Sequence, residues 1–202
     1  MENIAPTNLS PKHALQGRNI DSELQKQLKI NETFYSIQGE STYAGNPTLF
    51  IRTTGCNLRC SYCDTKYSYD QGEMWSIEKI LQTVKESETE YICLTGGEPL
   101  IQKDIHSLIH ILCDQNYKVS LETSGSRSIQ HVDPRVKIIL DVKTPDSGAA
   151  NSFLMENIDF SNENTEYKFV ICSEKDFDWS ENFYGQHDLL KKFTVLLSTS
   201  LV

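Results

Sequence analysis

Three cysteines fall within eight residues, Cys56-Asn57-Leu58-Arg59-Cys60-Ser61-Tyr62-Cys63. A short loop carrying three thiolates can hold three irons of a [4Fe–4S] cube and leaves the fourth iron open to a ligand. A structural zinc or an ordinary cluster takes a fourth protein ligand, and none follows at regular spacing. A zinc knuckle completed by a distant His or Cys is the competing reading. The other three of the six cysteines, Cys93, Cys113 and Cys172, are scattered through apolar runs. Free cysteine packs as a small hydrophobe, so Cys93 and Cys172 read as strand core and Cys113 as helix core.

A second signal is Thr95-Gly96-Gly97-Glu98-Pro99. Paired glycines at a strand end let a ligand lie against exposed peptide groups, although Gly-Gly alone also makes an ordinary turn. Weaker candidates read as structure. His106 and His110 sit one helical turn apart, but they flank an apolar stripe and fit a solvated or half-buried face. Glu86, Glu88 and Glu90 form a solvent-facing acidic patch, and Phe177, Trp179, Phe183 and Tyr184 are packing residues.

The elements that must carry these residues alternate. Strands are expected at Thr48–Thr53, Glu90–Thr95, Lys118–Thr123, Val136–Val142, Tyr167–Cys172 and Phe193–Leu197. Ser76 is placed to cap a helix with Ile77, Ile80, Leu81 and Val84 on one face, and Asp104 a second with Ile105, Leu108, Ile109 and Leu112. Strands alternating with helices predict an α/β fold with a mostly parallel sheet, open or a partial barrel. Chemistry in such folds collects beyond the C-terminal strand ends. The cysteine loop, Gly96-Gly97 and Lys143-Thr144-Pro145 all fall there. Residues 1–27 read as a polar extension with a short helix near Asp21–Leu28, and residues 28–202 as one core domain.

The chain has 202 residues and a net charge of −9, which argues against a broad nucleic-acid or anionic-membrane surface. No apolar run approaches a membrane span and no signal pattern opens the chain, so a cytoplasmic location is expected.

Cys-x3-Cys-x2-Cys after one strand and Gly-Gly-Glu-Pro after the next resemble the radical S-adenosylmethionine (SAM) superfamily. Glu32-Thr33-Phe34-Tyr35-Ser36-Ile37-Gln38-Gly39-Glu40 and Arg52 resemble its 7-carboxy-7-deazaguanine synthase family, as do Cys63-Asp64-Thr65, Glu122-Thr123-Ser124-Gly125 and Asp141-Val142-Lys143. The likeness runs from about Lys29 to Leu197. It implies a partial (β/α) barrel of the radical SAM type and a lyase of queuosine-precursor biosynthesis. In that reaction 6-carboxy-5,6,7,8-tetrahydropterin contracts to 7-carboxy-7-deazaguanine with loss of ammonia, through a 5′-deoxyadenosyl radical and with SAM regenerated.

Carried over residue by residue, the resemblance assigns Cys56, Cys60 and Cys63 to the cluster. It assigns Tyr62, Cys63, Asp64, Gly97, Glu98, Asp141, Val142, Lys143 and Ser198 to SAM. The pterin falls to Ile37, Gln38, Gly39, Glu40, Arg52 and Thr95, with Arg52 on its carboxylate, and Mg²⁺ to Thr65; Glu40, Arg52 and Thr65 are the catalytic candidates. On bland readings Arg52 is an edge-strand residue facing water, Thr65 a turn residue and Gln38-Gly39 an ordinary turn. The resemblance also implies a homodimer and an electron donor such as flavodoxin or ferredoxin. It fades at Ser198–Val202, where relatives continue with a turn, a helix and a terminal segment that helps enclose the substrate. A shortened tail implies normal cluster and SAM binding with slower, less coupled turnover. Two other readings share parts of the pattern: a radical SAM activase that installs a glycyl radical on a partner protein, and a non-catalytic zinc or iron–sulfur module.

Overall fold

A computed structural model describes residues 20–200. Readings that concern residues 1–19 lie outside the described residues. The expected helix near residue 21 is α1 (Ile20–Leu24), which stops early because Gln27 and Leu28 already belong to strand β1 (Gln27–Ile37). Leu28 and Ile30 are buried there, so apolar burial in the sheet outweighs continuation of a short helix.

The remaining strands are β2 (Pro47–Thr53), β3 (Glu73–Ser76), β4 (Tyr91–Gly96), β5 (Lys118–Thr123), β6 (Lys137–Asp141), β7 (Thr165–Ile171) and β8 (Thr194–Thr199). They form one eight-stranded sheet in the order β3-β1-β2-β4-β5-β6-β7-β8. Strand β1 is antiparallel to β2 and β3, and every pairing from β2 to β8 is parallel. The sheet is thus a mostly parallel, open-edged partial barrel in which the β1–β2 hairpin extends one side. The sequence pattern anticipates neither the length of β1 nor the short β3.

Helices α2 (Ile77–Glu86), α3 (Ile105–Asp114) and α5 (Glu174–Gln186) follow β3, β4 and β7, and α4 (Asn157–Phe160) is a single turn. Ser76 caps α2 as expected, its hydroxyl accepting the Lys79 N–H at 3.2 Å. Asp104 does not cap α3 with its side chain; its backbone carbonyl takes the N–H groups of Ser107 and Leu108 instead. Ile80, Val84, Leu108, Ile109 and Leu112 share one core with Leu49, Ile51, Ile92, Leu94, Val119 and Leu121. Burial of this continuous apolar face contributes the bulk of the fold's stability.

The scattered cysteines divide. Cys93 and Cys113 are buried, but Cys172 is exposed because β7 ends at Ile171. Trp179, Phe183 and Tyr184 on α5 pack as rings, with Phe183 against Phe153 and Phe169, whereas Phe177 is exposed. Among the described residues no helix is long and apolar enough to cross a membrane.

Candidate active site

Side chains alternate along a strand, so residues one step from the core face point to the other side of the sheet. There they line a cavity of about 760 Å³ at the C-terminal strand ends. Each parallel strand contributes a polar group near its end: Arg52 from β2, Thr95 from β4, Glu122 from β5, Asp141 from β6, Lys168 from β7 and Ser198 from β8. The register puts Arg52 beside Thr95, Asp141 beside Lys168, and Val170 beside Ser198.

The cysteine loop closes one wall. Cys56, Cys60 and Cys63 all line the cavity and are partly exposed to it. The Leu58 N–H donates to Cys56 Sγ at 3.4 Å, a contact that favours a thiolate, while burial pushes the Cys56 and Cys60 thiols up. Metal coordination overrides such burial, because a bound metal deprotonates its thiol. Among the described residues no group of three or more His, Cys, Asp or Glu side chains converges as the ligands of one ion would. A cube places its thiolates on separate irons and needs no such convergence. Three thiols on one short loop, all facing the cavity, fit a cube whose fourth iron is open to a ligand there.

Gly96 and Gly97 have a structural task beyond an open cradle. A Cβ on Gly97 would stand 2.2 Å from the Gly55 carbonyl oxygen and 2.6 Å from Cys56 Cβ. Gly96 adopts φ +152, and a Cβ there would strike the Thr53 carbonyl oxygen at 2.4 Å. The glycines thus let the end of β4 press against the cysteine loop. Glu98 reinforces this contact through its N–H, which donates to the Gly55 carbonyl at 2.8 Å. Its carboxylate is fully buried and accepts from Thr123 Oγ1, Ser124 N, Ser124 Oγ and Leu100 N. That side chain ties β4 to β5 and does not line the cavity. Val142 is likewise core, whereas its neighbours Asp141 and Lys143 face the cavity.

Arg52 is an interior strand residue, one place in from the hairpin edge. Its Nε donates to Glu32 Oε1 at 2.8 Å, and Tyr67 OH donates to the same oxygen at 2.9 Å. Burial acts to raise the Glu32 pKa, yet these two hydrogen bonds and the guanidinium charge bring it below its ordinary value. Among the described residues the two Nη atoms of Arg52 make no hydrogen bond, so the fork remains available for an anion. Gln38 is buried, with Nε2 3.5 Å from Glu122 Oε1, and Thr95 Oγ1 donates to Glu122 Oε2 at 2.9 Å. The β1–β2 loop is pinned across the sheet by Gln38, by Thr42 on Glu166 and by Glu40 on Lys168. This is how a turn-like Ile37-Gln38-Gly39-Glu40 segment reaches the cavity.

The opposite wall is a charge cluster. Lys143 Nζ lies 3.1 Å from Asp141 Oδ2, and Lys168 Nζ 3.5 Å from the same oxygen. Burial opposes the charge on both lysines, but Asp141 holds each ammonium above the usual lysine range. Asp141 Oδ1 and Tyr62 OH are shut from solvent and have no hydrogen-bond partner among the described residues. Buried polar atoms without partners point to a ligand that supplies them, and SAM carries suitable hydroxyl and amino groups. Asp64 and Thr65 sit at the rim, the Thr65 hydroxyl donating to Asp64 Oδ1 at 2.6 Å. Glu32, Glu122 and Lys168 are functional candidates beyond those that the motifs assign. The first two lie inside the family-like segments, but nothing local marks Lys168.

A model of the radical SAM superfamily matches residues 50–146. The 7-carboxy-7-deazaguanine synthase of Chlorobaculum tepidum is 41% identical over 175 residues, covering 84% of this chain and 78% of the relative. That of Thermoplasma acidophilum is 39% identical over 162 residues, covering 79% and 78%. The crystal structure of QueE from Escherichia coli superposes with a TM-score of 0.77 at 23% identity, covering 92% of this chain and 89% of that one, which shows the shared fold. With identity of this extent over more than three quarters of its length, the chain belongs to the 7-carboxy-7-deazaguanine synthase family of radical SAM enzymes.

Proposed function

We propose that the cavity converts 6-carboxy-5,6,7,8-tetrahydropterin to 7-carboxy-7-deazaguanine with loss of ammonia. Family membership supports the reaction. The observation that carries the substrate assignment is the pairing of an anion fork, Arg52, with a half-buried carboxylate, Glu122, in one cavity. Arg52 would take the substrate carboxylate through its Nη atoms while Glu32 holds its Nε. The pterin edge presents adjacent N–H donors, which suit Glu122, and its oxygen suits the amide of Gln38. Thr95 would keep Glu122 oriented, while Ile37, Gly39 and Glu40 cover the ring.

Cys56, Cys60 and Cys63 would hold the [4Fe–4S] cluster, with SAM spanning the wall from Tyr62, Cys63, Asp64 and the Gly97 backbone to Asp141, Lys143 and Ser198. Bound together, such a cluster and SAM supply one-electron chemistry that removes a hydrogen atom from a substrate carbon and later restores it. The protein's part is to orient the substrate and exclude water. Arg52 and Glu122 fix the pterin at two ends, and the β1–β2 loop shields it from solvent. Mg²⁺ would meet the Thr65 hydroxyl, with Asp64 beside it. Its remaining ligands would come from substrate and water, as is usual for this ion. A homodimer, a cytoplasmic location and a flavodoxin- or ferredoxin-type donor complete this reading on the strength of the family likeness. A glycyl-radical activase has no use for the Arg52–Glu122 pair.

Anaerobic turnover of the reconstituted protein with the carboxytetrahydropterin tests the proposal. The expected result is the deazapurine, identified by mass, with one ammonia released per product. Cleavage of SAM without a deazapurine rejects it.

A further inference from the structure

Lys168 occupies a singular place in the cavity. It projects from β7 beside Asp141 of β6, and its ammonium touches two carboxylates that belong to different parts of the site. One is Glu40 Oε2 on the β1–β2 loop, on the side assigned to the pterin; the other is Asp141 Oδ2, on the side assigned to SAM. The Lys168 side chain is 13% exposed and that of Glu40 43%, so the loop end of the bridge is the more open to water. Asp141 Oδ2 is shared with Lys143, and Asp141 Oδ1 has no hydrogen-bond partner among the described residues.

We propose that Lys168 is a positioning residue that couples the two ligand subsites, tying the order of the Glu40 loop to occupancy of the Asp141 side. The inference rests on the function proposed above. A hydroxyl or amino donor on Asp141 Oδ1 shares the negative charge that now attracts two ammonium groups. Lys168 is then less strongly held by Asp141 and binds Glu40 more firmly. A loop already ordered by one ligand demands less ordering from the second, which appears as positive coupling between the two binding events. The coupling is reciprocal, so the pterin must tighten SAM by the same factor.

The test is equilibrium binding of the carboxytetrahydropterin to the anaerobic, reconstituted and unreduced protein, with and without saturating SAM, so that no turnover intervenes. In the wild type SAM is expected to tighten the pterin by roughly fivefold or more. In Lys168→Met the factor falls to within about twofold of unity, and Lys168→Arg, which keeps the charge, restores most of it. Iron content and far-ultraviolet circular dichroism equal to wild type show that the variants fold. Glu40→Gln cuts the same link from its other end and serves if Lys168→Met does not fold. A wild-type coupling factor in Lys168→Met or Glu40→Gln overturns the proposal, as does a wild type without coupling. Failure of the wild type to bind the pterin under either condition rejects the assigned function instead, a result distinct from both.

Discussion

On the helix-covered face of the sheet stand Leu49 and Ile51, Ile92 and Leu94, Val119 and Leu121, and Ile138 and Leu140, all buried in one apolar core. One residue along the same strands, the cavity face carries Phe50 and Arg52, Thr95, Glu122, and Ile139 and Asp141. Alternation of side chains is enough to put a stable core and a polar site on opposite sides of a single layer. The two faces obey different energetics. Apolar contacts on the first add up without regard to direction, whereas buried polar groups on the second are tolerable only when each is hydrogen-bonded, ion-paired or met by a ligand. The unpartnered Asp141 Oδ1 and Tyr62 OH therefore stand out on the cavity face.

Perturbing each face in turn sharpens this contrast. The largest effect is expected at the cavity rim, where Cys56→Ala, Cys60→Ala and Cys63→Ala should each abolish cluster assembly. Cys93→Ala and Cys113→Ala, buried in a strand and a helix, should retain wild-type iron on analysis of the reconstituted protein. Full iron content in any of the first three would remove the cluster assignment.

On the apolar face, Leu121→Ala should destabilise the fold by about 2–5 kcal/mol, since it removes a fully buried side chain and leaves a cavity. Urea unfolding of the apoprotein measures this, and a loss below about 1 kcal/mol would mean that the site relaxes freely. The mirror experiment is Arg52→Ala on the cavity face. Pterin binding should weaken by about 1.5–3 kcal/mol through loss of a charge-assisted hydrogen-bonding partner. Iron content and urea midpoint should hardly move, because Glu32 is 38% exposed and can return to water. Unchanged pterin affinity would dismiss the carboxylate role.

The smallest effect concerns charge outside the cavity. Asp133 meets Arg135 Nη2 at 2.7 Å and His110 Nδ1 at 2.8 Å. The hydrogen bond from Arg135 outweighs burial and holds the Asp133 carboxyl well below the usual carboxylate range. A group depressed in this way contributes stability that is complete above about pH 4 and is lost as pH falls toward its folded-state pKa. Asp133→Asn should flatten the fall of unfolding free energy below about pH 4, with the slope above it unchanged. An identical acid limb in the variant would place the dependence on other carboxylates.

The motifs legible in the chain are those written in consecutive residues. Cysteine spacing, the Gly-Gly strand end, the Ser76 cap and the β5 boundaries depend on neighbours a few positions away, and local physics enforces them. The short β3 and the start of β1 depend on pairing with residues 43 to 49 positions distant, which no local pattern reports. Cys172 illustrates the boundary. Its apolar run is real, but the strand ends at Ile171, and the Cys172 N–H turns to Asp176 Oδ2 at 3.1 Å.

Sequence by itself thus determined the α/β class, the cysteine loop and the residues from which a site of this family is made. Tertiary structure decided which of them face the cavity and which hold it in shape. The side chains of Glu98 and Val142 went to the second group, a carboxylate with four donors and a core valine, so that a ligand at these positions would meet their backbone. Glu32, Glu122 and Lys168 joined the site because strand register set Glu32 opposite Arg52 and Lys168 beside Asp141, while the adjoining ends of β4 and β5 joined Thr95 to Glu122. Charge pairs in a parallel sheet form between strands that are remote in the chain, and their energy exists only once the intervening helices have brought those strands together.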